Sequence, residues 1–333
     1  MTKIFFPEQE NKYLKELNLF FFRKYKNFKK LFNLFKGIIA EKKKSILLNH
    51  LPYIIYIDPT NICPLRCPLC PTGLRLQGRK TGFMKFSTCK KIIDQLKDSL
   101  FFVRLYNWGE PLLNPEIFKM IDYISSNKIG SIISTNLLVD KEILGNLVNS
   151  SLDYLIVSLD GTSKISYEKY RKGGDFEKVL KNLKILVQLN PSFKIEWLFI
   201  INKYNQKEMD EAKHLAKELK IDILHFSPTF DCLSASKMND RGKEIYKEFK
   251  IDYSFPLASY CNWIYSRMVF NWDGSVAPCC ALDDSKFDFG NIFKNSVEEI
   301  WNNKKYQLAR KIFKYNLKHK YPNFICSRCI FIK

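Results

Sequence analysis

The spacing of apolar residues changes period several times along this chain. From residue 53 to about 228, short β-like runs alternate with stretches of helical spacing. The pattern predicts strands over 53–57, 102–106, 131–134, 154–158, 194–201 and 223–226. Between them it predicts amphipathic helices over 115–127, 141–149, 176–189 and 206–219. Strict β–α alternation implies a parallel sheet with helices packed on it. Six units are too few for a closed eight-fold barrel, so the expected class is α/β, a partial (β/α)6 TIM-like barrel. An open barrel needs a cover, and the C-terminal segment is available for it.

Residues 14–39 interleave Leu, Phe and Lys without a break. At helical spacing they make an apolar, aromatic face with a basic rim. Residues 1–51 are therefore expected to be a basic helical N-terminal extension packed on the core. The same face also suits a peripheral contact with an anionic membrane.

Composition changes the picture little. A hydrophobic fraction of 46% supports a real core. No apolar run approaches the roughly 18–20 residues that span a bilayer. Residues 1–12 are polar and charged, without a signal-peptide pattern, so a cytoplasmic location is expected. The net charge is +20, and residues 1–50 hold 12 Lys/Arg against 4 Asp/Glu. Charge alone admits an RNA-binding or RNA-modifying protein. Most lysines are scattered, however, which reads as solvated surface, and no nucleic-acid partner is expected.

The ten cysteines are clustered. In a reducing compartment clustering points to metal rather than disulfides. Cys63-Pro-Leu-Arg-Cys67-Pro-Leu-Cys70 directly follows the first barrel strand. A loop this tight can direct three thiolates at three irons of one 4Fe–4S cube and leave the fourth iron open to a small molecule. Zinc is the rival, and it would need a fourth ligand from elsewhere, such as Cys326 or Cys329. Polar motifs follow the next three strands as well: NWGEP, STN and SLDG. In parallel barrels, ligands sit at the carboxyl ends of the strands.

On these residues the chain resembles the radical SAM superfamily, over about residues 52–333. The resemblance implies a 4Fe–4S cluster on Cys63, Cys67 and Cys70 whose open iron binds S-adenosyl-L-methionine (SAM). It also implies reductive cleavage of SAM to a 5′-deoxyadenosyl radical that takes hydrogen from a substrate. Glu110 in Gly-Glu-Pro matches the motif that meets the SAM ammonium. Ser134, Asn136 and Ser158 match positions that hold the ribose and the methionyl carboxylate, and Arg171 is placed to pair with that carboxylate. Asp160 is read as a turn former. Leu69 stands where many relatives carry an aromatic residue, which leaves adenine stacking unassigned. Trp197 and Phe199 share a strand face and are read as core. An electron donor such as flavodoxin or ferredoxin is implied.

Downstream, Cys261, Gly274 and Cys279 form C-x12-G-x4-C, followed by Cys326-x2-Cys329. Asn271–Gly274 reads as a turn between strands 267–270 and 275–277. The hairpin would bring Cys261 and Cys279 together, and the C-terminal pair would close a four-cysteine site. This resembles the SPASM/twitch extensions of radical SAM enzymes. Four ligands support one auxiliary 4Fe–4S cluster, so the shorter twitch form fits better. Its spacing is similar to that of the twitch dehydrogenase that oxidises 2-deoxy-scyllo-inosamine. Zinc remains the rival metal there. Cys280 should point away from Cys279, Cys89 is read as a buried helix residue, and Cys232 as packing or a hydrogen-atom donor. The domains expected are 1–51, the barrel over 52–250 and the auxiliary-cluster domain over 251–333. The activity expected is oxidation of a sugar or cyclitol-like small molecule. Epimerisation and peptide modification are the alternatives, and a non-catalytic electron carrier is a further class. No catalytic acid or base is assigned.

Overall fold

The computed structural model describes residues 2–229, 240–252 and 260–329. In chain order it runs β1 (Lys3–Phe5), α1 (Glu10–Lys24), α2 (Phe28–Lys42), β2 (Ile54–Ile57), α3 (Phe86–Leu96), β3 (Phe102–Arg104) and α4 (Ile117–Ser126). It continues with β4 (Gly130–Thr135), α5 (Lys141–Val148), β5 (Tyr154–Ser158), α6 (Lys164–Tyr170), α7 (Phe176–Gln188), β6 (Lys194–Ile201), α8 (Met209–Glu218), β7 (Ile223–Pro228) and α9 (Asp240–Phe249). The remainder is α10 (Trp263–Ser266), β8 (Arg267–Phe270), β9 (Ser275–Ala277), β10 (Gly290–Asn291), α11 (Val297–Trp301) and α12 (Lys304–Tyr315).

All ten described strands share one sheet, ordered β1-β7-β6-β5-β4-β3-β2-β8-β9-β10. The six predicted strands are β2 to β7, all parallel. The fold is therefore a mixed α/β partial barrel. Two further parallel strands extend it: β1 on β7 at one edge and β8 on β2 at the other. Beyond β8 the sheet turns antiparallel. Gly274, at φ +76°, makes the turn that reverses it.

Strand alternation sorts the core into two layers. Ile55, Val103, Ile133, Leu155, Trp197 and Leu224 face outward, onto the helices. Trp197 and Phe199 are fully buried there, as expected of core. The alternate residues Ile54, Phe102, Ile132, Tyr154 and Ile156 face the concave side, where Tyr13, Leu17 and Phe21 of α1 pack on them. These contacts lie at the amino ends of the strands, so α1 closes the bottom of the barrel. Toward the carboxyl ends the concave positions Ser134, Tyr106, Leu198, Ile200 and Ser227 are only half buried, and the interior is open.

The N-terminal region departs from a continuous helix in two ways. It opens with a strand, and the helical stretch breaks before Phe28, where Asn27 caps α2 by accepting the Lys30 N–H at 2.9 Å. At the other end, α11 begins with a capping box between Ser296 and Glu299. Arg310 of α12, fully buried, donates to the carbonyls of Ile264, Ile46 and Trp301 at 2.7–3.1 Å. That one side chain ties the C-terminal helix to α10 and to the linker before β2.

Candidate functional site

The loop after β2 carries the first three cysteines and is pinned from several sides. Thr60 donates to the Gly82 carbonyl at 2.7 Å, and its oxygen accepts the Ile62 N–H at 3.1 Å. Glu110 N–H donates to the Ile62 carbonyl at 2.8 Å. Gly109 makes this approach possible, because a Cβ there would lie 1.9 Å from the Thr60 backbone carbonyl oxygen. Gly73 plays the same part on the far side, packed on the backbone of Cys67. Asp58, buried at the end of β2, accepts the Trp108 N–H at 3.2 Å, and burial pushes its carboxyl up to about 7.

Glu110 joins two rim loops. Its Oε1 accepts from Leu112 N–H at 3.1 Å and the Thr135 hydroxyl at 2.8 Å, and its Oε2 accepts from Asn136 N–H at 2.7 Å. Burial raises its pKa to about 7 against the pull of those donors. A carboxylate has about four acceptor sites. Three are in use, so one on Oε2 remains for a ligand donor.

Two side chains turn donors toward the cysteine sulfurs. Asn136 Nδ2 lies 3.7 Å from Cys63 Sγ, and Arg171 Nη1 lies 4.0 Å from Cys67 Sγ. Donors aimed at ligand sulfurs tune an iron–sulfur centre. Arg171 is also held by Asp160. Asp160 is more than a turn former: it is fully buried, and its other oxygen accepts the Ile200 N–H at 2.8 Å. Ser134 and Ser158 lie on the concave face of β4 and β5, near their carboxyl ends. Leu69 is buried with Tyr170 and Phe249.

Burial raises Cys63 to about 12 and Cys67 to about 11 as thiols, so the loop is a poor place for unligated thiolates. Soft cations that bind thiolate remove that cost. Among the described residues, no three His, Cys, Asp or Glu side chains are gathered as a single-ion site. A donor set of three thiols on one short loop fits a multi-iron cluster, which takes one thiolate per iron.

The second group is also brought together. Cys261, Cys279, Cys326 and Cys329 line one cavity of about 50 Å³, lined otherwise by Ile264, Pro278, Leu282, Phe313 and Ile325 among others. One water needs only roughly 10–15 Å³. Burial raises the Cys261 thiol to about 11. Four thiols facing an otherwise apolar space fit an iron–sulfur cluster by donor chemistry. Cys280 is not in this lining; it packs beside Tyr56, Val269 and Ala277. Cys89 is fully buried in α3. Cys232 lies outside the described residues.

Several polar residues in the barrel went unnoticed in the sequence. Arg104 is buried on the concave face, donates to the Tyr106 hydroxyl and lies under the Tyr56 ring, 5.5 Å from its centroid. Among the described residues it has no carboxylate partner. Arg267 stacks on Trp263 at 4.8 Å nearby, and its Nε is buried without a hydrogen bond. At the bottom, Glu196 accepts from the Tyr13 and Tyr154 hydroxyls at 2.6 Å each. His225 bridges Glu196 at 3.1 Å and Glu10 at 2.7 Å. The available signal was a charged residue at a concave position inside an apolar strand, as in FVRLY, KIEWL and ILHFS.

The chain is similar to known proteins in both sequence and fold. A family model described as the radical SAM superfamily matches residues 57–216, and SPASM, an iron–sulfur cluster-binding domain, matches 261–330. Together the two matches span more than half the chain. A probable GTP 3′,8-cyclase of Methanococcus maripaludis is 26% identical over 266 residues, 71% of this chain and 88% of the relative. The subtilosin biosynthesis protein AlbA of Bacillus subtilis is 25% identical over 273 residues, 76% of this chain and 60% of AlbA. The crystal structure of Streptococcus suis SuiB bound to S-adenosylmethionine has a TM-score of 0.61 at 19% identity, covering 80% of this chain and 69% of SuiB, which is a likeness of fold.

Proposed function

This chain belongs to the radical SAM superfamily and carries a C-terminal SPASM domain, and on that premise we propose that it oxidises its substrate across two iron–sulfur sites. It is an iron–sulfur enzyme. The family brings a 4Fe–4S cluster and SAM, and the SPASM domain brings auxiliary iron–sulfur chemistry. When bound, these groups supply one-electron cleavage of SAM and, through it, hydrogen-atom abstraction from carbon.

Cys63, Cys67 and Cys70 would hold the first cluster, and Cys261, Cys279, Cys326 and Cys329 the second. Glu110 would take the SAM ammonium on its spare Oε2 lone pair, with Asn136, Ser134 and Ser158 around the rest of the molecule. Arg171 would serve the methionyl carboxylate while Asp160 steadies it. Helix α1 closes the bottom of the barrel, and Arg104, Tyr56, Tyr106 and Trp263 would line the substrate side. The division into an extension over 1–51, a barrel over 52–250 and an auxiliary domain over 251–333 belongs to the same proposal.

The observation that carries the oxidative reading is the four-thiol cavity. A cluster with every iron ligated by protein has no open iron for substrate and is suited to moving an electron. The substrate class we favour is a small sugar- or cyclitol-like molecule. Peptide modification is the second reading, supported by the likeness to AlbA.

The test is anaerobic reconstitution with iron and sulfide, reduction and addition of SAM. The wild type should form 5′-deoxyadenosine. Cys67→Ala should abolish it, whereas Cys326→Ala should retain part of it and lose substrate turnover. Intact clusters without any 5′-deoxyadenosine would sink the proposal.

A further inference from the structure

The helix α2 is mounted the wrong way round for a core helix. Its large apolar residues Phe28, Leu31, Phe32, Phe35 and Ile38 recur at helical spacing on one face, and that face is in water. Phe28 is 83% exposed, Phe35 59% and Phe32 50%. The residues turned inward are Lys30, Gly37 and Ala40. Gly37 lets the helix sit close, since a Cβ there would already be 3.0 Å from the Tyr53 ring and 3.2 Å from His50. Lys30 is anchored by donating to the Lys128 carbonyl at 2.6 Å. The seating of α2 is therefore specific, and it presents the apolar face outward.

Single exposed apolar residues are ordinary, but a contiguous stripe of five large ones is not. Leu47, 67% exposed, follows just after the helix. Lys29, Lys36 and Lys43, seven residues apart, run along one edge of the stripe. Lys36 Nζ stands 4.4 Å over the Phe32 ring. Residues 23–44 hold nine Lys/Arg and one Glu.

We propose that α2 docks this protein peripherally on an anionic lipid surface, its phenylalanines entering the headgroup boundary and its lysines meeting the lipid phosphates. Charge decides the occupant. A second copy would bring the same lysine edge against itself, with a net charge of +20 on each chain. An anionic bilayer complements both the stripe and its rim. No helix among the described residues is long and apolar enough to cross a membrane, and α2, at 15 residues, suits the interface. This docking stands apart from the chemistry of the barrel.

The test uses the full chain with its clusters loaded, floated with vesicles of phosphatidylcholine alone or with about a third phosphatidylglycerol. Wild type should bind the anionic vesicles at least about tenfold more tightly than the neutral ones, less so as salt rises. Phe32→Ser with Phe35→Ser should weaken binding about tenfold. Lys36→Glu with Lys43→Glu should weaken the preference for anionic lipid, with Lys29 kept because it pairs with Asp98 at 2.8 Å. These residues are at the surface, so circular dichroism should show unchanged folding. Wild type that stays in solution with both vesicles would overturn the proposal. So would serine variants that float like wild type. A dimer or an acidic protein partner lost in the serine variants, without lipid binding, would assign the stripe to protein instead.

Discussion

At the floor of the barrel, one imidazole sits between two carboxylates. Burial alone would lower the pKa of His225, but hydrogen bonds to Glu10 and Glu196 outweigh it and raise the pKa to about 9. A histidine raised on folding stabilises the native state fully below its unfolded value of about 6.5, and the contribution fades as pH rises through about 9. At about 1.4 kcal/mol per pH unit, wild type should exceed His225→Gln by about 2–3 kcal/mol near pH 6, with the gap closing by about pH 9.5. Denaturant midpoints of both proteins across that range check this, and a gap independent of pH would refute it. The sequence could flag Glu196 and His225 as polar residues inside apolar strands, but not that they meet. Glu10, Glu196 and His225 meet only because β6, β7 and α1 meet. By contrast, the spacing of Cys63, Cys67 and Cys70 places three thiols on one short loop, which can be read without the fold.

Among the elements, the barrel strands and the helical character of the N-terminal region were readable, and the way α2 faces was not. Runs such as Ile54–Ile57 and Tyr154–Ser158 are apolar on both faces and bounded by polar loops. Strand β1 is three residues long, and its partner begins at Ile223; no local pattern announces a pairing that distant. Apolar periodicity also implied one continuous apolar face from Leu14 to Ile39, expected to pack inward, with a membrane contact as its other use. α1 obeys that rule and α2 reverses it. Phe21 shows what α1 contributes: it is fully buried, stacks on Phe102 at 4.6 Å and fills the space beside Gly130. Phe21→Ala should cost about 3–5 kcal/mol in urea unfolding. A loss under about 1 kcal/mol would mean that α1 is not part of the cooperative core.

For the molecule as a whole, the barrel and the C-terminal domain share both a sheet and a clamp. β8 continues the sheet from β2, while Arg79, from the loop after the first cysteines, reaches the hairpin and pairs with Asp273 at 3.1 Å and Asp288 at 2.6 Å. Trp108 Nε1 adds a bond to the Leu282 carbonyl at 3.2 Å. The Arg79 side chain is 4% exposed, while Asp273 and Asp288 are 33% and 15% exposed, so Arg79→Met leaves two partly buried carboxylates unpaired and should cost about 1–3 kcal/mol. Adding Asp288→Asn should recover part of it. A double variant no better than the single one, measured by denaturant midpoint, would place the loss in packing rather than charge.

By itself the sequence determined the class of the fold and the family, because periodicity and short-range spacing survive in a linear string. Only the tertiary structure decided that α1 floors the barrel while α2 turns its phenylalanines to water. It also decided that Asp160 holds Arg171 beside Cys67, and that Arg104 lies unpaired by any described carboxylate inside. Those outcomes depend on which surfaces meet once separate elements pack together, and burial and charge pairing are properties of that meeting.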